Sequence, residues 1–289
     1  MLGVALLGGS LVTKALRWRA MLPDPGAMRR GEAIRIFYVS ILLNNLLPFR
    51  VGDGARVLSP SVRRVTSIQQ ALVTLLAERL LDGLTLALVA LVVLPPFFRS
   101  TGRQAVVDGL SAPGEGALVL LAAGFGVGLV ALAVVARVRW HALRTLVVSR
   151  IQSLRADALA IVQQPAPHIA RIVAMTLVAW GATFLMHTAV LEALDPPEAS
   201  AVLVGPLLLG VIVTLSTNLS MLAPATPGGI GIFHAAAAAP LLVAGYSSEL
   251  AVAYALLVHV TNTVPPMLVG AGGLAWPALT QRLRGAARS

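Results

Sequence analysis

The chain has 289 residues, of which 57% are hydrophobic and 12% are charged. A soluble domain carries roughly 25% charged residues, so this composition excludes an ordinary soluble globular protein. The formal net charge is +10, but the arginines lie in short segments between apolar runs, which is typical of membrane orientation and not of nucleic-acid binding. The sequence contains no cysteine, which excludes disulfides and thiolate metal sites. We expect no nucleic-acid partner, no metal and no cofactor.

Apolar runs of about 20 residues match the ~30 Å hydrocarbon layer of a bilayer. The run at residues 117–136 is one example. The sequence therefore predicts an all-α, polytopic transmembrane helix bundle with about 6 to 8 membrane segments, some of them re-entrant or broken. We assign residues 1–289 to a single integral membrane domain. The first apolar run is short because it ends at Lys14, so we expect an N-terminal helix of the bundle to be shortened or missing.

The distribution of basic residues predicts the orientation of the chain in the membrane. The basic segments 14–35, 50–64, 137–168 and 282–288 are expected on the cytoplasmic side of the inner (plasma) membrane, together with the C-terminus. Residues 33–49 have a basic segment on each side, so they cannot cross the membrane once. This pattern predicts a re-entrant hairpin, which needs protein or a watery cavity around its loose backbone.

The remaining segments are predicted from apolar runs and from their start and stop signals. A helix begins at Ser67, with Gln70 as its capping partner, and stops at Pro95-Pro96. The later segments are a returning helix at 117–136, an amphipathic surface stretch at 137–168, helices at 169–194 and 199–222, an apolar run at 232–246, and a last helix from 248 to about 270 that is interrupted at Pro265-Pro266. Whether the region 224–246 spans or re-enters stays open.

The apolar run that ends near residue 45 is followed by amides, a proline, two glycines and paired charges. Its candidates for lipid or phosphate binding are Asn44, Asn45, Pro48, Arg50, Gly52, Asp53 and Arg56. Unwound backbone and arginine donors together make a good anion site, so Arg50 and Arg56 are predicted to hold a lipid phosphate. The alternative is an ordinary helix end with arginines that reach toward the membrane surface.

Three charged residues, Glu78, Arg79 and Asp82, lie inside the apolar helix that follows. Glu78 and Asp82 share one helical face, and Arg79 is expected close to both. Each charge at the bilayer centre costs ~2.5 to 3.5 kcal/mol, so we expect this polar cluster to be paired or in contact with water. Two interpretations stay open, a structural ion cluster and a polar pathway.

A second break in the apolar pattern is rich in proline and glycine. It comprises Asn218, Pro224, Thr226, Pro227, Gly228, Gly229, Gly231 and His234. Discontinuous helices of this kind are typical of transporter sites. We expect His234, like His259 and Asn262, to be a packed residue more than a proton relay. Both breaks place an asparagine, a proline and closely spaced glycines in the same order, which indicates an internal repeat.

These same residues show a resemblance to a known family. The chain resembles the flippase-like, lysylphosphatidylglycerol synthase transmembrane-region family over nearly its whole length. The resemblance rests on the segments 15–19, 44–48 with Arg50, Gly52 and Arg56, 78–82, and 224–231. Members usually have one more N-terminal helix, and they have Gly-Glu where this chain has Gly52-Asp53.

The resemblance implies a lipid flippase or transporter that moves a phospholipid or a polyprenyl-linked lipid between leaflets. Its partners would be membrane lipids, either anionic phospholipid or polyprenyl phosphate. We expect no aminoacyl transfer by this chain alone, because no stretch is long enough for the soluble transferase domain of some relatives. No Walker motif is present, so no ATP-driven step is expected.

Two other functions stay open. The chain can be a membrane subunit or accessory of a lipid-modifying enzyme that transfers aminoacyl or glycosyl groups, with a membrane enzyme as its partner. Asp195 and Glu198 are the acids available for such chemistry, although beside Pro196-Pro197 they fit helix capping better. The chain can also be a structural partner of another membrane protein, to which the glycines at 124–128 would suit helix packing.

Overall fold

The computed structural model describes residues 1–47, 50–101, 163–194, 205–221 and 227–286. Over these ranges it contains nine α-helices, two 3₁₀ turns and no strand, which confirms the all-helical prediction. The predicted helix at 117–136, the surface stretch up to residue 162, the glycines at 124–128 and the acids at 195 and 198 lie outside the described residues. The α-helices are α1 (Leu2–Ala20), α2 (Arg30–Leu46), α3 (Val51–Leu58), α4 (Pro60–Val65), α5 (Ile68–Thr101), α6 (Ala166–Glu192), α7 (Pro206–Ser220), α8 (Ile232–Val243) and α9 (Ser248–Ala286), and the 3₁₀ turns are Pro25–Ala27 and Pro227–Gly229.

Three helices in these ranges are long and apolar enough to cross a membrane. They contain the stretches Ile68–Phe97, Ala166–Glu192 and Ser248–Trp276, with mean hydropathies of 2.1, 1.8 and 1.4. Leucines on the outer surface of α5 are strongly exposed, as Leu80 at 74% and Leu91 at 73% show. Water would penalise such a surface, whereas lipid would not. The chain is therefore a helical membrane bundle, in which α7 and α8 are shorter apolar helices.

Helix α1 is continuous through Lys14 and Arg17. It spans 19 residues and is therefore about 28 Å long. Arg17 is fully buried, and the ammonium of Lys14 lies 4.0 Å from the centre of the Trp180 ring. Helix α1 packs along α6 and also contacts α2, so its charges lie inside the protein.

Proline pairs do not end or interrupt the long helices. Helix α5 continues through Pro95-Pro96 to Thr101, and α9 continues through Pro265-Pro266 to Ala286. The predicted stop and the predicted interruption are therefore wrong. A proline removes one backbone donor, but in membrane helices neighbouring helices and local adjustments of the backbone tolerate that loss. The predicted start is confirmed, because Ser67 N–H donates to Gln70 Oε1 (3.3 Å) and Gln70 N–H donates to Ser67 Oγ (3.2 Å).

The hairpin predicted within residues 33–49 forms later in the chain. Helix α2 is continuous through Leu46, the chain turns after it, and α3 returns along α2. Gly52 permits this close approach, because a methyl group there would collide with the carbonyl oxygen of Ser40. The returning limb is therefore 51–58, just beyond the predicted range.

Two apolar clusters hold the helices together and position the polar residues between them. The larger joins α6, α7, α8 and α9 around fully buried side chains such as Met186, Leu209 and Leu241. The smaller joins the first four helices to the start of α5 and includes Trp18 and Val62. The charged residues of α1, α3 and α5 meet beside the smaller cluster, where the candidate site lies.

Candidate functional site

Two arginines and two carboxylates form a buried ion cluster, which we define as Arg17, Arg56, Glu78 and Asp82. Arg17 contacts Asp82 with both terminal nitrogens: Nη1 donates to Oδ1 at 2.7 Å and Nη2 donates to Oδ2 at 3.0 Å. The same Nη2 lies 3.6 Å from Glu78 Oε1. Paired, planar contacts of this kind are the strongest that a guanidinium and a carboxylate make, although Arg17 Nε has no hydrogen-bond partner in the described structure. Both acids on α5 are therefore paired with arginine.

Arg56 belongs to this cluster and is not presented to a ligand. Its Nη2 donates to Glu78 Oε2 at 3.0 Å, and its guanidinium lies 4.9 Å from the Trp18 ring centre and 5.2 Å from that of Phe37. The residue is 2% exposed. This geometry argues against the expectation that Arg56 holds a lipid phosphate, because its charge is already neutralised and covered by aromatic rings.

Helix α6 completes the polar contacts around the ion cluster. The Thr176 hydroxyl accepts a hydrogen bond from Arg17 at 3.0 Å, and the Trp180 indole donates to Asp82 at 2.9 Å. Four helices, α1, α3, α5 and α6, therefore meet at one point. Sequence reasoning missed Arg17 and Trp180 as members of the site. The available signal was that two acids in an apolar helix require cations from elsewhere in the chain.

Arg79 has its ion-pair partner outside the buried ion cluster. Its Nη2 donates to Asp53 Oδ2 at 2.6 Å, and its side chain is 42% exposed. It is close enough to Glu78 and Asp82 to be attracted by both carboxylates, but among the described residues it forms no ion pair with either. Arg79 therefore links α5 to the exposed side of α3.

Asp53 is held by two further contacts with α2. The Asn44 amide donates to Asp53 Oδ1 at 3.1 Å, and the Asp53 backbone N–H donates to Asn44 Oδ1 at 3.2 Å. Burial alone would raise the pKa of the Asp53 carboxyl, but the charges of Arg79 and Arg56 and the bond from Asn44 lower this pKa on balance. Asp53 is therefore a neutralised anion that fixes α3 against α2 and α5.

Arg50 lies in the turn between α2 and α3, which we call the first break (residues 47–50). Its φ is 52°, and no other non-glycine residue in the described ranges has a positive φ. Its Nη2 donates to the carbonyl oxygen of Met221 at 3.5 Å, and among the described residues it forms no ion pair. A strained backbone that presents a cation is more often found at functional sites than in ordinary turns.

The proline- and glycine-rich segment forms a real interruption, which we call the second break (residues 227–231). Pro227 begins a 3₁₀ turn, and Gly228, Gly229 and Gly231 have φ values of 67°, 68° and 90°. Only glycine adopts such angles at little cost. The neighbouring residues Pro224 and Thr226, and Pro48 at the first break, lie outside the described residues.

A pair of histidines ties the second break to α9. The Gly231 N–H donates to His234 Nδ1 at 3.3 Å, and His234 Nε2 lies 2.9 Å from His259 Nδ1. In its neutral form His234 therefore carries its proton on Nε2 and donates it to His259. Both rings are half-buried and pack near Phe233, whose ring centre lies 4.9 Å from that of His259.

The two breaks lie side by side. Arg50 of the first break contacts the residue that ends α7, Met221, and a methyl group on Gly228 would lie 3.7 Å from the carbonyl oxygen of Asn45. The asparagines before the two breaks also make equivalent contacts: Asn45 donates to the carbonyl of Ile41 at 2.9 Å and Asn218 donates to that of Thr214 at 2.8 Å. The internal repeat stays a prediction, with this shared contact in its favour.

Among the described residues, no group of three or more histidines, aspartates or glutamates is arranged to hold a metal ion. An exposed arginine at the junction of two interrupted helices can bind an anion such as a phosphate.

Comparison with known proteins identifies one family. The family model of the lysylphosphatidylglycerol synthase transmembrane region matches residues 1–270. No curated protein matches the chain, and no solved structure matches it.

Proposed function

The chain belongs to the lysylphosphatidylglycerol synthase transmembrane-region family, a family of membrane proteins related to lipid modification or transport, and on that premise we propose that it is a lipid flippase. Its substrate is a phospholipid or a polyprenyl-linked lipid that moves between the leaflets of the inner (plasma) membrane. The basic loops and the C-terminus face the cytoplasm under this proposal.

The observation that carries the proposal is the position of Arg50 at the junction of the two breaks. Its guanidinium contacts the carbonyl of Met221, so a group bound there touches both interrupted segments. Transporters commonly bind substrate between discontinuous helices, where unwound backbone and helix ends supply polar groups at membrane depth. The arrangement fits a lipid whose charged part is a phosphate.

The distribution of charge further supports Arg50 as the binding residue. Arg17 and Arg56 are neutralised by Glu78 and Asp82 in the buried ion cluster, and Arg79 is neutralised by Asp53. Arg50 thus contributes positive charge without an ion-pair partner among the described residues. A lipid phosphate at this position would gain charge-assisted hydrogen bonds without breaking an existing ion pair.

Leaflet translocation in liposomes tests the proposal. The purified chain is reconstituted with fluorescent phospholipid or fluorescent polyprenyl phosphate, and the wild type is compared with Arg50→Ala. We expect the substitution to slow translocation at least about tenfold, the effect of losing a hydrogen bond to a charged group. Arg64→Ala is the matched control, because Arg64 is an exposed arginine on α4 and its loss should leave the rate unchanged.

Two results contradict the proposal. Translocation of every probe at the rate of protein-free liposomes would contradict flipping, and would favour the accessory role in a lipid-modifying enzyme. Equal translocation rates for wild type and Arg50→Ala would show that Arg50 does not contribute to lipid binding during translocation. Tryptophan fluorescence of each variant verifies that the fold is retained.

A further inference from the structure

A cavity with a mixed polar and apolar lining opens between the ends of three helices, away from the two breaks. It has a volume of about 370 Å³ and lies where α1 ends and where α5 and α6 begin. Its polar lining comprises Gln70, Thr74, Gln164, His168 and Arg171. Cavities that bind small ligands have volumes of ~300 to 1,000 Å³. This cavity is therefore large enough for a polar headgroup.

An apolar groove continues from this cavity along the surface of α1 and α6. Its volume is about 240 Å³, and it shares Ala20 and Arg171 with the cavity. Leu16 and Met175 supply its apolar walls, and Arg19 and Arg30 join Arg171 at its edge. The cavity has five polar side chains in its lining, whereas the surface of the groove is almost entirely apolar, and the two meet at Arg171. This difference matches the headgroup and the acyl chain of an amphipathic molecule.

The charges around the cavity and groove select a negatively charged ligand. None of the ion pairs among the described residues includes Arg19, Arg30 or Arg171. The nearby carboxylate of Asp24 is occupied within its own turn, where it accepts from the N–H groups of Gly26 (3.0 Å) and Ala27 (3.3 Å). The three arginines of the groove therefore have no ion-pair partner among the described residues.

The walls of the cavity belong to firmly packed helices. Thr74 lies one helical turn before Glu78, and Ile172 lies one turn before Thr176, so the floor is one turn, about 5.4 Å, from the buried ion cluster. Both Thr74 and Ile172 are buried. The His168 Nε2 also donates to the carbonyl oxygen of Ala20 at 3.0 Å, which fixes the start of α6 against the end of α1. Fixed walls favour a defined binding geometry.

We propose that this cavity and groove bind one anionic phospholipid, with its phosphodiester at Arg171, its headgroup in the cavity and an acyl chain along the α1–α6 groove. Basic pockets between membrane helices are known to bind acidic headgroups. The site is separate from Arg50 and the two breaks, so the inference goes beyond the proposed translocation and does not require it.

Binding to the full chain in detergent micelles tests this site without any transport step. Native mass spectrometry measures the binding of short-chain phosphatidylglycerol, of phosphatidylcholine with the same chains, and of glycerol phosphate. We expect preferential binding of phosphatidylglycerol, and Arg171→Glu should weaken it at least about tenfold. The control is Arg63→Glu, which makes the same change of charge at an exposed arginine of α4 and should leave binding unchanged.

Three outcomes overturn the proposal. Equal affinity of wild type and Arg171→Glu for phosphatidylglycerol would show that the lipid binds elsewhere. If Arg63→Glu weakens the binding of phosphatidylglycerol equally, the loss in Arg171→Glu reflects general electrostatic attraction and not a specific site. Glycerol phosphate that binds as tightly as phosphatidylglycerol would identify a soluble phosphate ligand and not a lipid. Because Arg171 is exposed, its substitution should not unfold the chain, and failure of this test leaves the Arg50 translocation test unaffected.

Discussion

The two breaks lie side by side but are stabilised by different chemistry. At the first break, α3 is held against its neighbours by charged side chains, through the pairs Arg56–Glu78 and Asp53–Arg79. At the second break, three glycines with positive φ set the path of the chain, and a histidine pair supplies the side-chain contact. Ion pairs hold α3 at the first break, whereas the backbone angles of glycines set the path of the chain at the second.

The glycines at the two breaks have correspondingly different roles. Gly52 follows the first break and has an ordinary φ, but it lies against the backbone of α2. Gly231 has a φ of 90° and no neighbour within 4 Å of an added methyl group. The comparison teaches that the first break combines a positive φ at Arg50 with ion pairs and close packing of α3, whereas the second depends on three glycines with positive φ.

The largest expected effect comes from removing the arginine that serves both buried acids. Arg17→Met leaves Asp82 without its bidentate partner and Glu78 with Arg56 alone. Leaving a buried charge uncompensated costs about 3 to 5 kcal/mol, so the free energy of unfolding should fall by that amount. Denaturation in micelles, followed by tryptophan fluorescence, measures this change. The exposed Arg64→Met is the control. Equal stability of Arg17→Met and the wild type would show that the Arg17 contacts in the buried ion cluster do not stabilise the fold.

An intermediate effect is expected from adding one methyl group at the packing contact of α3. Gly52→Ala places this group against the Ser40 carbonyl and 2.8 Å from Asn44 Oδ1, so α3 must move away from α2. We expect a loss of about 3 kcal/mol, the upper end of the usual cost of overpacking. Gly54→Ala, in the same helix but with no neighbour within 4 Å, should instead gain about 0.5 to 1 kcal/mol. Similar values for both variants would show that α3 does not pack on α2.

The smallest expected effect comes from the second break, where space is available but the backbone angle is unfavourable. Gly231→Ala forces a side chain into a φ of 90°, which should cost about 1 to 3 kcal/mol. The control Gly181→Ala adds the same group inside α6, again with no neighbour within 4 Å, and should be neutral or stabilising. If Gly231→Ala is as stable as the wild type, the φ of residue 231 does not determine the structure of this break.

Local rules predicted much of this architecture correctly. The cap at Ser67 and Gln70 is confirmed because both partners lie within one turn of the same helix. At the second break the described residues form a 3₁₀ turn with a positive φ at Gly228, where proline and glycine act on the backbone directly. The need of Glu78 and Asp82 for partners also followed from the cost of a charge in lipid.

Several errors concern contacts between residues that are far apart in the sequence. The partner of Asp82 is Arg17, 65 residues earlier, and Arg56 is engaged by an acid 22 residues later, so neither pairing appears in a short window of sequence. The proline pairs were interpreted by rules for helices in water, where a lost hydrogen bond has no compensation from neighbouring membrane helices.

The long separation between the members of the buried ion cluster has a consequence during protein synthesis. Arg17 precedes Asp82 by 65 residues and Thr176 by 159 residues. At ~5 to 20 residues per second, the ribosome needs roughly 3 to 13 seconds to produce Asp82 after Arg17, and roughly 8 to 32 seconds to produce Thr176. Arg17 therefore has neither of these partners when α1 is first synthesised, and the buried ion cluster can form only after α5 has been made.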